Sequence, residues 1–300
     1  MSFLNPVNEP VLRFKSTDAG APQINYNSRV AGDVKAVLKA CLVTGYGAKA
    51  SAGWSIVNEV GHVAEFVSPS ASMSDYRLGI DDTSTSNTTW YYQYQDVRVN
   101  PVGNAIAKSI TNIDKTHASN GWQLLVTDRG FYFVEIFYAA SVNSTFGRLT
   151  CFGSVKSALT NNDSKNIAFW CVGHNAQDAE GFFSNTGNSK HYVLGSYTNV
   201  NFSSANLLSF SGGQADAVYS NNTVDFISEL YLYSGNQMLA QQPGLLLKYN
   251  NNPNNRFGVY ETLVGVQQML NVTMTYSASD ISGLNKYARQ VLIPLSFWEY

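Results

Sequence analysis

The stretch Leu124-Leu125-Val126-Thr127-Asp128-Arg129-Gly130-Phe131-Tyr132-Phe133-Val134 decides the fold class. Two short runs of apolar, aromatic and β-branched residues flank a polar Asp-Arg-Gly segment, the pattern of a β-hairpin. Gly130 can supply the positive φ that tight turns need.

Outward from this hairpin the same rhythm recurs. Toward the N-terminus, strands are expected at Val11–Phe14, His62–Val67, Tyr76–Ile80, Thr89–Val99 and Trp122–Thr127. From the hairpin onward they are expected at Phe131–Tyr138, Gly147–Val155, Asn166–Val172, His191–Leu194, Leu207–Phe210, Val224–Tyr233, Leu245–Lys248, Phe257–Val264, Val272–Tyr276 and Val291–Phe297. Many short strands separated by Gly, Asn, Ser and Asp predict a mainly β chain of sandwich- or barrel-like antiparallel sheets. Gly53-Trp54 and Gly121-Trp122 each open such a stretch, a faint internal echo.

One segment changes period. Val30, Val34, Val37, Leu38, Cys41 and Leu42 recur at helical spacing, Asp33, Lys35 and Lys39 lie off that stripe, and Gly45 and Gly47 follow where a helix ends. This predicts one short N-terminal helix over Val30–Val43, packed by its single apolar stripe on a sheet that contains Trp54 and Trp122.

Composition agrees. The 300 residues are 44% hydrophobic but only 13% charged, about half the usual ~25%. Asn, Ser, Thr, Tyr and Gly take the places of Lys and Glu, and they favour turns and strands. The chain reads as one large β-rich domain over 1–300, or as two subdomains, 1–160 and 166–300, divided near the polar Asn161–Lys165 segment. Asn161-Asn162-Asp163, Asn221-Asn222 and Asn250–Asn255 read as exposed loop tips.

With 19 basic and 21 acidic residues and no dense Lys/Arg cluster, nucleic acid is not an expected partner. No apolar run approaches the ~18 residues of a membrane span, and the N-terminus lacks the basic and apolar regions of a secretory leader, so synthesis in a cytoplasm is expected. Asn-X-Ser/Thr triplets then carry no glycosylation meaning. Cys41, Cys151 and Cys171 are odd in number, lack a CxxC and sit in apolar stretches, which predicts buried free thiols.

Catalytic spacings are scarce. There is no GxxxxGK[ST], GxSxG, HExxH or EF-hand pattern, and Gly45-Tyr46-Gly47 reads as a helix-ending turn. Cys171-Val172-Gly173-His174 offers two ligand types where a structural zinc site needs four, so no metal or cofactor is expected. Asp81-Asp82 with Glu59 and Glu65 could pair as glycosidase carboxylates, but Asp at a strand end is commonly a turn residue.

Two aromatic segments stand out as candidate interface. In Thr89–Tyr94, alternation puts Trp90, Tyr92 and Tyr94 on one face and Tyr91 on the other, where an exposed ring would suit a protein interface or a sugar platform. At the C-terminus, Phe297, Trp298 and Tyr300 must be buried either in the chain's own fold or against a neighbour.

Val11–Pro22, Ala40–Gly47, Ala52-Gly53-Trp54, Leu78–Asp82, Gly121-Trp122, Phe131–Phe133, Phe152–Val155 and Pro243–Leu245 together resemble a family of roughly 300-residue virion proteins of tailed bacteriophages. The likeness is densest before residue 155. It implies a non-enzymatic structural component of the particle, made in the bacterial host cytoplasm and resident in the virion, with no catalytic residues to carry over. Its partners would be other virion proteins and further copies of itself, as an accessory or decoration protein of head, neck or tail. The alternative is a receptor- or glycan-binding module of a tail tip or fibre, with host glycan as the ligand. A hydrolase of envelope polysaccharide is disfavoured by the lack of an acid/base signature.

Overall fold

The computed structural model describes residues 7–24, 30–74, 76–84, 87–94, 108–114, 119–139, 144–157, 167–172, 191–194, 203–204, 206–209, 226–234, 237–249, 258–273 and 290–300. Along the chain these form β1 (Asn8–Pro10), β2 (Leu12–Lys15), α1 (Asp33–Lys39), β3 (Ser55–Val60), β4 (Val63–Val67), β5 (Tyr76–Asp81), β6 (Asn87–Tyr94) and β7 (Lys108–Asp114). Then come β8 (Ser119–Thr127), β9 (Gly130–Ala139), β10 (Ser144–Ser154), β11 (Lys156–Ser157), β12 (Ile167–Val172), β13 (His191–Leu194), β14 (Ser203–Ser204) and β15 (Asn206–Ser209). The last are β16 (Phe226–Ser234), β17 (Gln237–Tyr249), β18 (Val259–Val264), β19 (Gln267–Thr273), β20 (Gln290–Pro294) and β21 (Phe297–Glu299). The chain is mainly β with antiparallel sheets and a short helix, as its composition and turn spacing predict.

The strands make a central sheet in the order β14-β13-β12-β10-β9-β8-β2, a five-stranded sheet β3-β4-β5-β6-β7, and an outer sheet β15-β16-β17-β20-β19-β18 with β11 beside β17. Among the described strands, β1 pairs only with β21. The central sheet explains why Leu124–Val134 is apolar almost throughout: it is buried on both faces. Leu124, Val126, Phe131, Phe133, Phe152 and Phe169 share a core with α1 and with Phe66, Leu78, Ile80 and Trp90 of the five-stranded sheet. Their alternates Leu125, Tyr132, Val134, Leu149, Ala168 and Trp170 pack with Leu245, Leu270, Val272, Val291 and Ile293 of the outer sheet. Strand alternation thus feeds two cores from one sheet and stacks three layers. β2, β8, β9 and β10 of that sheet precede residue 160 and β12 to β14 follow 166, so the two halves of the sequence share it.

The hairpin that decides the fold forms, with Thr127 opposite Gly130, but Gly130 serves a different purpose from the one its position suggested. Its φ is not positive; a Cβ there would stand 2.6 Å from the Gly153 Cα and 2.7 Å from the Phe152 carbonyl oxygen. Gly130 lets β9 and β10 approach closely, while the turn is held by the Arg129 amide donating to Thr127 Oγ1 at 3.2 Å and the Ser154 amide donating to the Arg129 carbonyl at 2.9 Å.

The helix is shorter than its apolar stripe. α1 begins after Gly32, whose φ is 93°, and Val30 lies outside it and is 51% exposed. Past Lys39 the backbone widens into a π turn over Ala40–Thr44 before Gly45, keeping Cys41 and Leu42 buried. Lys35, off the apolar stripe, is nonetheless buried, because its Nζ donates to the Gly61 carbonyl and pairs with Glu59 at 2.7 Å. Trp54 precedes β3 and Trp122 lies in β8; both share the core that α1 closes.

Elsewhere strand boundaries shift. The run Val291–Phe297 divides into β20 and β21, Leu245–Lys248 is the end of the longer β17, and β1, β3 and β7 are strands that periodicity did not single out. The segments at Asn161–Asp163, Asn221-Asn222, Asn250–Asn255, Gly173-His174 and 95–99 lie outside the described residues.

Candidate interface site

The carboxylates that could have paired for chemistry are each engaged elsewhere. Asp82, fully buried at the end of β5, accepts through Oδ2 from the amides of Val34 at 2.9 Å and Lys35 at 3.2 Å, and through Oδ1 from Thr88 Oγ1 at 2.8 Å. Those amides belong to the first turn of α1, so a side chain from a strand caps the helix where Gly32 has none to offer. Asp81 accepts from the Thr83 amide at 3.0 Å, the turn role expected of it. Glu59 binds Lys35 and Lys39, and their hydrogen bonds hold its carboxyl below the usual range. Glu65 is buried beside Arg77, 3.3 Å away.

In β6, Trp90 is fully buried and packs 6.0 Å from Phe133, in the first core. Tyr91 points to the opposite face, as alternation requires, but is half-buried: its ring lies across Gly79, its partner on β5, where a Cβ would overlap it. Burial first, then the negative charges of Glu65 and Asp81 and a hydrogen bond to Glu65, push its hydroxyl up to about 12. Tyr92 and Tyr94 belong to the same strand, and their side chains lie outside the described residues.

The C-terminal aromatics divide. Trp298 packs 4.8 Å from Tyr132, fills the space over Gly244 and donates from Nε1 to the Pro294 carbonyl at 3.1 Å. Tyr300 is buried, 2.9 Å from Thr127 Oγ1, with its hydroxyl pushed far up by burial, and Arg129 lies 5.2 Å over its ring. Both are interior residues of this chain, while Phe297 between them and β20 is 41% exposed. β21 is fixed further by Glu299, which pairs with the buried Lys156.

Beneath Trp298 lies a buried polar chain. Trp170 Nε1 donates to Gln242 Oε1 at 3.2 Å, Gln242 Nε2 donates to the Tyr132 hydroxyl at 2.9 Å and to Cys151 Sγ at 3.5 Å, and Tyr132 donates to the Pro243 carbonyl. It ties the central sheet to β17 at the point where Pro243 lacks an amide and Gly244 takes φ 61°. Cys41 and Cys151 are buried free thiols; the Cys171 side chain lies outside the described residues. Burial pushes the Cys41 thiol well up, the state of an inert core cysteine.

Among the large apolar side chains left in water, Val60 and Val266 stand at hairpin turns, with Val57 on β3 and Leu263 on β18, where Leu263 is 68% exposed and Val266 completely so; Val7, Leu12, Val30 and Phe297 are exposed elsewhere. The sequence signal was present in Val60-Gly61 and Gly265-Val266, valines beside a turn glycine where polar residues are usual, and both valines lay outside the strands that periodicity marked. Among the described residues no three His, Cys, Asp or Glu side chains gather as metal ligands, and no helix is long and apolar enough to cross a membrane. Set against models of known protein families and against curated proteins, the chain matches none.

Proposed function

We propose that this chain is a non-enzymatic structural component of a tailed bacteriophage particle, an accessory or decoration protein of head, neck or tail that works by assembling with neighbouring virion proteins and with further copies of itself. The observation that carries the reading is the placement of exposed apolar side chains on edge strands and at hairpin turns, Val57, Val60, Leu263, Val266 and Phe297, beside described charged groups such as Arg13, Lys35 and Arg129 that pair with carboxylates. Apolar groups displayed singly are ordinary; on edge strands and beside turns they are placed to meet another surface. The resemblance in Val11–Pro22 and the Gly-Tyr-Gly and Gly-Trp elements supports the same reading.

A three-layer body suits that work, since a central sheet covered on both faces has little surface to lose when the particle is stressed. Mass spectrometry of purified particles from the phage that encodes the chain is expected to find it at fixed stoichiometry to the major capsid or tail protein. Recovery only from the unassembled fraction of the infected cell overturns the proposal. Binding on a glycan array that disappears in Tyr91→Ala moves the function to host recognition instead.

A further inference from the structure

We propose that the outer face of β4, β5 and β6 holds a docking site for an arginine side chain of a neighbouring protein, whose guanidinium lies on the Tyr91 ring and takes the Asp81 carboxylate. The inference rests on the assembly reading above and names one chemical group of the partner.

Leu78, Ile80 and Trp90 face the first core, so alternation turns Glu65, Arg77, Gly79, Asp81 and Tyr91 away from it. Glu65, Gly79 and Tyr91 make one row across three strands, and Asp81 stands in the next row, opposite Thr89. A Cβ built on Gly79 would lie 1.9 Å from both Cε2 and Cζ of Tyr91 and 2.5 Å from Cδ2. A point in the ring plane so close to two bonded atoms would lie much farther from the third, so this point stands over the flat of the ring. Tyr91 therefore rests one face on Gly79 and turns the other away from the sheet, pinned by the hydrogen bond of its hydroxyl to Glu65.

The outward face has negative surroundings. Glu65 and Asp81 both stand near enough for their charge to act on the Tyr91 hydroxyl. Arg77, 3.3 Å away, offsets Glu65. Asp81 is exposed, takes the Thr83 amide on Oδ1 at 3.0 Å, and among the described residues has no cation beside it, which leaves Oδ2 for a donor from outside. Among the described residues no cation stands over the Tyr91 ring either.

An electron-rich ring face beside an unbalanced carboxylate is the complement of a cation. Arginine fits it best, because a planar guanidinium stacks on an aromatic face and still offers N–H groups at its edge. Gly79 and Asp81 are two residues apart, about 7 Å along β5. A guanidinium lying over the ring spans that step once the Asp81 side chain reaches back to it, whereas a compact ammonium serves the ring or the carboxylate. Arg13, Arg77, Arg129 and Arg148, the arginines among the described residues, are each held by a carboxylate of their own chain. A second copy of these surfaces has none to lend, and the cation comes from a different protein.

The probe is the blocked tripeptide acetyl-Gly-Arg-Gly-amide, compared with its lysine and citrulline counterparts by NMR of the full chain carrying isotope-labelled tyrosine. The arginine peptide is expected to shift the Tyr91 ring resonances saturably, the lysine peptide more weakly, and the neutral citrulline peptide not at all. Asp81→Asn keeps an acceptor for the Thr83 amide and is expected to leave the thermal midpoint unchanged while weakening binding about tenfold, the worth of one charge-assisted contact. Tyr91→Leu is expected to abolish binding; should that variant fail to fold, Asp81→Asn decides. The proposal is overturned by an arginine peptide that gives no saturable shift, by a citrulline peptide that binds equally, or by an Asp81→Asn chain that binds like its parent. Methyl glucoside binding at the ring in place of the arginine peptide overturns it as well. A parent chain that binds the peptide yet is absent from particles upholds the site and removes the assembly reading. An Asp81→Arg chain that particles take up at the parental level overturns the site and leaves that reading standing.

Discussion

The ring of Tyr91 lies across Gly79 and fills the place that a side chain at 79 would take. An aromatic laid over a cross-strand glycine repairs the packing that the glycine forgoes. Here the cover also brings the tyrosine hydroxyl to Glu65. Gly79→Ala is expected to dislodge the ring and cost about 1–3 kcal/mol. In the double variant with Tyr91→Ala the two costs should fall short of their sum, which urea unfolding of the four proteins will read.

The same contact has a pH signature. The Tyr91 hydroxyl titrates near about 12 in the folded chain against 10.0 for a free tyrosine, so folding favours the protonated form. Its contribution is fully present below pH 10 and is lost as pH rises toward 12. Tyr91→Phe is expected to flatten that part of the alkaline stability curve, followed by tyrosinate absorbance and circular dichroism together.

Asp82 joins β5 to the first turn of α1 through three hydrogen bonds in a fully buried site. Asp82→Ala leaves two helix amides and the Thr88 hydroxyl without their acceptor and is expected to cost about 2–4 kcal/mol. Asp82→Asn keeps an acceptor oxygen and should cost less. Denaturant midpoints at constant m-value distinguish them.

Leu38 is fully buried between α1 and the first core, whereas Val30 stands outside the helix in water. Leu38→Ala is expected to cost about 2–5 kcal/mol. Val30→Ser should stay within about 0.5 kcal/mol by the same measurement.

At the C-terminus, Trp298→Ala is expected to cost about 3–5 kcal/mol, and removal of Phe297–Tyr300 to abolish cooperative unfolding, because Trp298 and Tyr300 close the second core. Phe297→Ser should change stability by no more than about 0.5 kcal/mol. Calorimetry of the three variants checks the set.

Strand content was legible because it depends on local pattern: aromatic and β-branched runs broken by Gly and Asn give β6, β9 and β12 wherever they sit. The depth of each strand was not. Phe131-Tyr132-Phe133-Val134 reads as a strand from neighbours in sequence, but that both its faces are covered follows from β20 and α1, which lie far away along the chain. Asp82 shows the same limit. Its neighbours mark a turn, and only the arrival of Val34 and Lys35 makes it a helix cap. For Trp298 and Tyr300 the sequence required burial and left the site open; Tyr132 and Thr127 supply it. Leu263 and Val266 were missed for the opposite reason, since leucine and valine close to a turn look like core until their exposure in the hairpin is seen.

Among the described strands β1 has no partner until β21 exists: Asn8 lies opposite Glu299, and the Val7 and Tyr300 backbones exchange hydrogen bonds of 3.0 and 2.9 Å. At ribosomal speeds of roughly 5–20 residues per second, the first strand waits on the order of 15–60 s for the last. During that interval the groove beside Tyr132 and Gly244 lacks the indole that fills it. A product released early would keep that groove open, which is the kind of surface that chaperones hold and proteases cut. The pairing of β1 with β21 thus makes the packing of the groove beside Tyr132 and Gly244 depend on residues almost 300 positions downstream of the strand that holds them in place.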